Sequence, residues 1–82
     1  MKVRILVNLK NGVLDPQGQT VCHALHVLGY SQVKDVRQGK VFELELEGLD
    51  EESARRLIPE IAHRVLANPI IESFTWEFFD KA

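Results

Sequence analysis

With a single cysteine, Cys22, among 82 residues, the chain has no means of forming an internal disulfide. A chain this short buries a limited core, which disulfides, metals or oligomerisation often supplement, so oligomerisation is the expected supplement here. No apolar run is long enough to cross a bilayer and no secretory apolar segment opens the sequence, so a soluble cytoplasmic protein with no membrane partner is expected. Excess positive charge is missing as well. The formal net charge is −2, which argues against nucleic acid as a partner, because neutralising phosphates supplies most non-specific affinity. Glycine-rich phosphate loops are absent, since Gly12 and Gly18 match neither G-x-G-x-x-G nor the Walker A spacing. None of the three serines sits in a Gly-x-Ser-x-Gly elbow. Hydrolysis or nucleotide turnover by this chain alone is not expected.

What the sequence does carry is alternation. Val3, Ile5, Val7 and Leu9 alternate with Lys2, Arg4, Asn8 and Lys10, broken only by Leu6, which reads as a strand with one buried face. Asn11-Gly12 ends it. Asp15 is placed to cap a helix with Pro16 at its first position. Val21, Ala24, Leu25 and Leu28 then give that helix one apolar stripe, expected to pack on the sheet, and Gly29 ends it. Phe42, Leu44 and Leu46 alternate with Glu43, Glu45 and Glu47, a half-exposed strand, whereas Val33 and Val36 are out of step with each other. The phase slips near Gly39. Either Gln38-Gly39 closes a hairpin between residues 33–37 and 40–47, or the segment is one long strand bent there. As one strand, about 15 residues span on the order of 50 Å, more than a small domain covers. A continuous strand would reach a second protomer, and the two halves of the chain could exchange between copies.

Asp50 caps a second helix, with Glu51 and Glu52 in the first turn where the helix dipole favours negative charge. Ala54, Leu57, Ile58, Ile61, Ala62, Val65 and Leu66 form its apolar stripe. Pro59 conflicts with this pattern: proline inside a helix costs roughly 3 kcal/mol, so a kink near residues 55–59 is expected. Asn68-Pro69 stops the helix, and a last strand runs from about Ile70 to Phe79 with Phe74, Trp76 and Phe78 on one face. The predicted fold is a single α+β domain over residues 1–82, a two-layer sandwich with two helices on one face of an antiparallel sheet. That is the ferredoxin-like βαβ-βαβ arrangement, or a version of it whose long bent middle strand is exchanged between protomers.

Each candidate for chemistry has a plainer reading. His23 and His26, three apart on one helix face, lack the further ligands a metal needs, and His63 stands on the polar flank of the second helix. Cys22 has no obvious base, because His23 as the next residue points elsewhere on a helix. The stripe Phe74, Trp76 and Phe78 could stack bases, yet Glu72, Glu77 and Asp80 surround it, so core or interface is the better reading. Glu43, Glu45 and Glu47 read as a solvated strand face opposed by Arg4 or Lys2. Glu52, Arg56, Glu60 and Arg64 read as ordinary helix-surface pairs. Arg37 and Lys40 are different. They flank the Gln38-Gly39 bend, where a turn needs only the glycine, and so are candidates for an acidic partner surface or a phosphate.

The order and spacing of several short stretches carry a resemblance. Leu14-Asp15-Pro16-Gln17-Gly18 is followed by Ala24-Leu25, Gly29-Tyr30, the run from Val33 through Val36-Arg37 to Gly39-Lys40, and Glu43-Leu44. Leu66-Ala67-Asn68-Pro69-Ile70-Ile71-Glu72 closes the series. Together they resemble the PurS family, small subunits of phosphoribosylformylglycinamidine synthase. The resemblance implies a non-catalytic subunit that joins a glutaminase, PurQ, to an ATP-using synthetase, PurL, and assists transfer of ammonia between them. That assembly converts formylglycinamide ribonucleotide, glutamine and ATP to formylglycinamidine ribonucleotide, glutamate, ADP and phosphate. It implies further that this chain binds no cofactor or metal and that ATP and Mg²⁺ sit on the synthetase; a dimer or tetramer is expected from the short chain, the phase slip at Gly39 and the apolar edge of Phe74, Trp76 and Phe78. Asp15, Pro16, Gln17 and Gly18, with Val36, Arg37, Gly39 and Lys40, are then assigned to assembly. Pro59 departs from what the family's second helix would lead one to expect. A ferredoxin-like regulatory module of the ACT type, binding an amino acid at Asn11-Gly12 and Gly18, is the alternative.

Overall fold

Alternation builds the centre of the molecule. Lys2–Leu9 forms strand β1, and its inward residues Val3, Ile5 and Val7 are buried. The computed structural model describes residues 1–79; Asp80 lies outside them. Strands β2 (Lys40–Glu45) and β3 (Glu72–Phe78) flank β1 on either side, both antiparallel to it. The register sets Ile5 opposite both Phe42 and Trp76, so the three side chains form one apolar row across the sheet. The class is α+β with an antiparallel sheet, as the patterning predicts.

Helix α2 (Glu51–Ile61) covers this apolar face with Ala54 and Ile58. Its start follows from Asp50, whose Oδ1 accepts from the Ser53 amide at 2.8 Å, and from Glu51 and Glu52 in the first turn. Full burial of Ile58 contributes about 1.5–3 kcal/mol. Pro59 sits inside α2 without ending it. The α-helix runs through residues 55–59, and it changes just after Ile61, where Ala62–Leu66 forms a π-helical turn and the Ala67 amide donates to Ala62 O at 2.9 Å. The wider turn rotates the stripe. Ala62 and Ala67 are buried while Val65, predicted to face inward, is 76% exposed.

Helix α1 (Pro16–Val27) departs from expectation. It does not pack on the sheet: none of its residues belongs to the core or lies against it, and Val21, Val27 and Leu28 are exposed, Leu28 by 71%. Its companion is the segment 33–38. That segment runs from Val33 beside His26 to Gln38 beside Gln17, five residues of chain against nine of helix. At about 3.3 Å per extended residue and 1.5 Å per helical residue the two lengths agree, so the segment lies extended along α1.

The hairpin reading fails on backbone grounds. Among the described residues positive φ occurs only at Gly12, Gly29 and Gly48, whereas a two-residue hairpin closed by Gln38-Gly39 requires it at Gln38, Gly39 or both. Residues 33–37 therefore do not supply the fourth strand of a ferredoxin-like sheet within the chain. The resulting shape is long and thin, 50 × 32 × 14 Å, with a radius of gyration of 16.2 Å. A compact chain of this length has about 12 Å.

Candidate functional site

The two stretches singled out in the sequence meet at one carboxylate. Asp15 is buried, and its Oδ1 accepts from the Gly18 amide at 2.9 Å, the cap that starts α1. Its Oδ2 accepts from the Gln38 amide at 2.8 Å. Those two amides, Gln38 first, hold the Asp15 carboxyl below the ordinary carboxylate range, aided by the nearby Arg37 guanidinium and opposed by burial. Two glycines make the approach feasible. A Cβ on Gly18 would collide with Val36 O and lie 2.6 Å from Asp15 Oδ2, and one on Gly39 would collide with Asn8 Oδ1 and lie 2.7 Å from Val7 O. Neither glycine has a positive φ, so both are needed for closeness and not for handedness.

The remaining candidates complete the knot. Pro16 occupies the first turn of α1, and Gln17 Oε1 accepts from Gln38 Nε2 at 2.8 Å. Arg37 donates from Nη1 to Val13 O at 3.2 Å and from Nη2 to Lys10 O at 3.3 Å, tying 33–38 to the loop that leaves β1. Lys40 stands apart, its Nζ 3.5 Å from Glu72 Oε2 on the far strand of the sheet. The candidate set therefore splits: Asp15, Pro16, Gln17, Gly18, Arg37 and Gly39 form one latch, with Lys40 outside it. Sequence reasoning missed Gln38, which contributes both its amide and its side chain, because nothing in its neighbours marks it as a donor.

Chemically, the latch has acceptors turned onto its own backbone and nothing that presents as an acid, base or nucleophile. Cys22 does have a neighbour that the sequence reading passed over, since His26 Nε2 lies 3.8 Å from its Sγ. That nitrogen is 2.6 Å from Val33 O, a carbonyl that can only accept, so Nε2 carries the proton and cannot serve Cys22 as a base. Among the described residues no three His, Cys, Asp or Glu side chains converge as metal ligands. No helix there is long and apolar enough to cross a membrane. The aromatic stripe faces α2: Trp76 and Phe78 meet edge to face at 5.3 Å, with the Arg55 guanidinium 5.1 Å from the Phe78 ring centre. On the opposite face Arg4 pairs with Glu43 at 3.4 Å, as the charge alternation predicts, and also with Glu77 at 3.5 Å.

Residues 2–80 match the family model for PurS, phosphoribosylformylglycinamidine (FGAM) synthase. The chain belongs to the PurS family. It is 46% identical over 76 residues to the Bacillus subtilis phosphoribosylformylglycinamidine synthase subunit PurS, covering 93% of this chain and 89% of that one. The solved structure of B. subtilis PurS superposes with a TM-score of 0.82 over 93% of this chain and 94% of that chain. A chain in the structure of PurLQS from Thermotoga maritima, 30% identical, superposes with a TM-score of 0.84 over 93% of each chain. Membership makes this PurS chain a subunit of FGAM synthase, an enzyme of purine biosynthesis. The amino-acid-binding ACT alternative is set aside by the same match.

Proposed function

We propose that this PurS chain docks the glutaminase PurQ on the synthetase PurL and assists passage of ammonia from one to the other. The observation that carries the proposal is the likeness, across 93% of both chains, to a chain in a structure described as PurLQS. The residues of this chain agree with such a role. Its latch consumes its own polar groups in shaping the backbone, which suits a scaffold better than a reaction site. ATP and Mg²⁺ belong, on this reading, to the synthetase. The chain works in the cytoplasm, assembled with itself as well as with PurL and PurQ. Asp15, Pro16, Gln17, Gly18, Arg37, Gly39 and Lys40 serve assembly, the first six by fixing the path of α1 and the segment beside it. Pull-down with purified PurL and PurQ, with and without glutamine and ADP, tests the docking: recovery of all three chains together is the expected result. Capture of neither partner under any of these conditions would overturn it.

A further inference from the structure

The pair Asn11-Gly12, where β1 ends, is itself no part of the latch, yet the latch holds it at both ends. Lys10 O accepts from the Val13 amide at 3.1 Å, and of the two residues between them only Gly12 has a positive φ, +86°, which is the pattern of a type II turn. Arg37 donates to the same two flanking residues, to Lys10 O at 3.3 Å and to Val13 O at 3.2 Å. Inside the turn nothing is engaged. Asn11 and Gly12 are both exposed, and among the described residues neither the Asn11 side chain nor the Gly12 amide forms a hydrogen bond. A Cβ on Gly12 would have nothing within 4 Å.

From this we propose that Asn11-Gly12 is a site of spontaneous covalent modification, converting to aspartate and isoaspartate at a rate that Arg37 restrains. The Gly12 nitrogen attacks Asn11 Cγ; a bond forms between them, the Cγ–NH₂ bond breaks, and the amide proton leaves with that group as ammonia. A cyclic imide remains. Water then opens it, at Cγ to give aspartate, or at the backbone carbonyl to give isoaspartate, whose chain runs on through the former side chain. Glycine favours the attack because no side chain crowds the nitrogen. The other two asparagines lack these conditions: Asn8 precedes Leu9 within β1, and Asn68 precedes Pro69, whose nitrogen carries no proton to lose.

The turn itself opposes ring closure. A type II turn sets ψ of its first central residue near about +120°, whereas the five-membered imide holds that ψ negative, so the turn must open before Gly12 can attack. Arg37 bonds both flanking carbonyls and therefore resists the opening. Either product acts back on the latch. Aspartate adds a negative charge to the turn that Arg37 grips, and isoaspartate adds one backbone carbon between the two carbonyls that Arg37 spans. Conversion to isoaspartate thus loosens the tie between the β1–α1 loop and residues 33–38.

The test follows the full-length chain through prolonged incubation at mildly alkaline pH, by tryptic digestion, separation of the isomeric peptides that begin at Asn11, and mass spectrometry. That peptide is expected to exchange NH for O in mass, in both isomeric forms, while the peptides holding Asn8 and Asn68 stay unchanged. A sample unfolded in urea gives the rate without the turn. Arg37→Ala, or Arg37→Lys should the first not fold, is expected to convert Asn11 faster than the wild type by about fivefold or more, the effect of losing one or two hydrogen bonds from the closed turn. Asn11 left intact in the folded chain when the unfolded sample has converted would overturn the site. Equal rates in the wild type and a folded Arg37 variant would overturn the restraint by Arg37, and conversion of Asn8 as fast as Asn11 would overturn the selection of this turn.

Discussion

Asp15 Oδ2 accepts from the amide of Gln38 at 2.8 Å, joining positions 23 apart in the chain. The other oxygen of the same carboxylate caps α1. One side chain thus starts a helix and aligns it with the segment that returns to the sheet. Replacing it by Asn keeps a single acceptor and forfeits the charge on both bonds. Asp15→Asn is expected to speed exchange of the Gln38 amide by about tenfold, given the strength of hydrogen bonds to charged groups, while amides of β1 keep their protection. Unchanged exchange at Gln38 would show that the bond does not hold residues 33–38 against α1.

The same carboxylate sets a pH dependence. Its folded pKa lies below its unfolded one, as does that of Asp50, whose leading cause is the Ser53 amide. The unfolded chain therefore binds protons first as pH falls. Stability from these two groups is present in full above the unfolded value, about pH 4, and is lost as pH drops through the lower folded values. Thermal unfolding between pH 6 and pH 2.5 should show a falling midpoint below about pH 4, shallower in Asp15→Asn. An identical slope in the variant would remove Asp15 from this account.

Arg37 and Lys40 should behave differently although both are exposed cations beside the same glycine. Arg37 ties two carbonyls of the β1–α1 loop, so Arg37→Ala should lower the thermal midpoint by several degrees, consistent with about 1–2 kcal/mol for its two hydrogen bonds. Lys40→Ala removes only an ion pair with Glu72, worth about 0–1 kcal/mol at the surface. Equal effects on the thermal midpoint would contradict this division.

In the core, Ile58→Ala should cost about 2–5 kcal/mol in urea unfolding, because Ile58 is fully buried between α2 and the sheet. Val65→Ala should cost far less. The π-helical turn has rotated Val65 to the surface, and a large loss at Val65 would argue that the turn does not persist in solution.

Much of this architecture is legible in the residues themselves. Period-two alternation at Val3, Ile5 and Val7 and the caps at Asp15 and Asp50 are local signals, and each appears as read. What is not legible depends on distant parts of the chain. The stripe of α1 announces a buried face without saying that the described residues leave Val21 and Leu28 exposed. Pro59 signals an irregularity, but no residue marks Ala62–Leu66 as the place of a π-helical turn. The candidate site was readable as two stretches. That Gln38 joins them, and that Arg37 donates to the loop carbonyls of Val13 and Lys10, depends on a close approach that Gly18 and Gly39 permit.

The central claim is that this subunit serves transfer between two other active sites. Its most direct test compares glutamine-dependent with ammonia-dependent FGAM synthesis by purified PurL and PurQ, with and without this chain. The account predicts that adding the chain restores synthesis from glutamine while synthesis from high ammonia changes much less. Equal dependence of the two activities on this chain, or turnover by the chain alone, would contradict it.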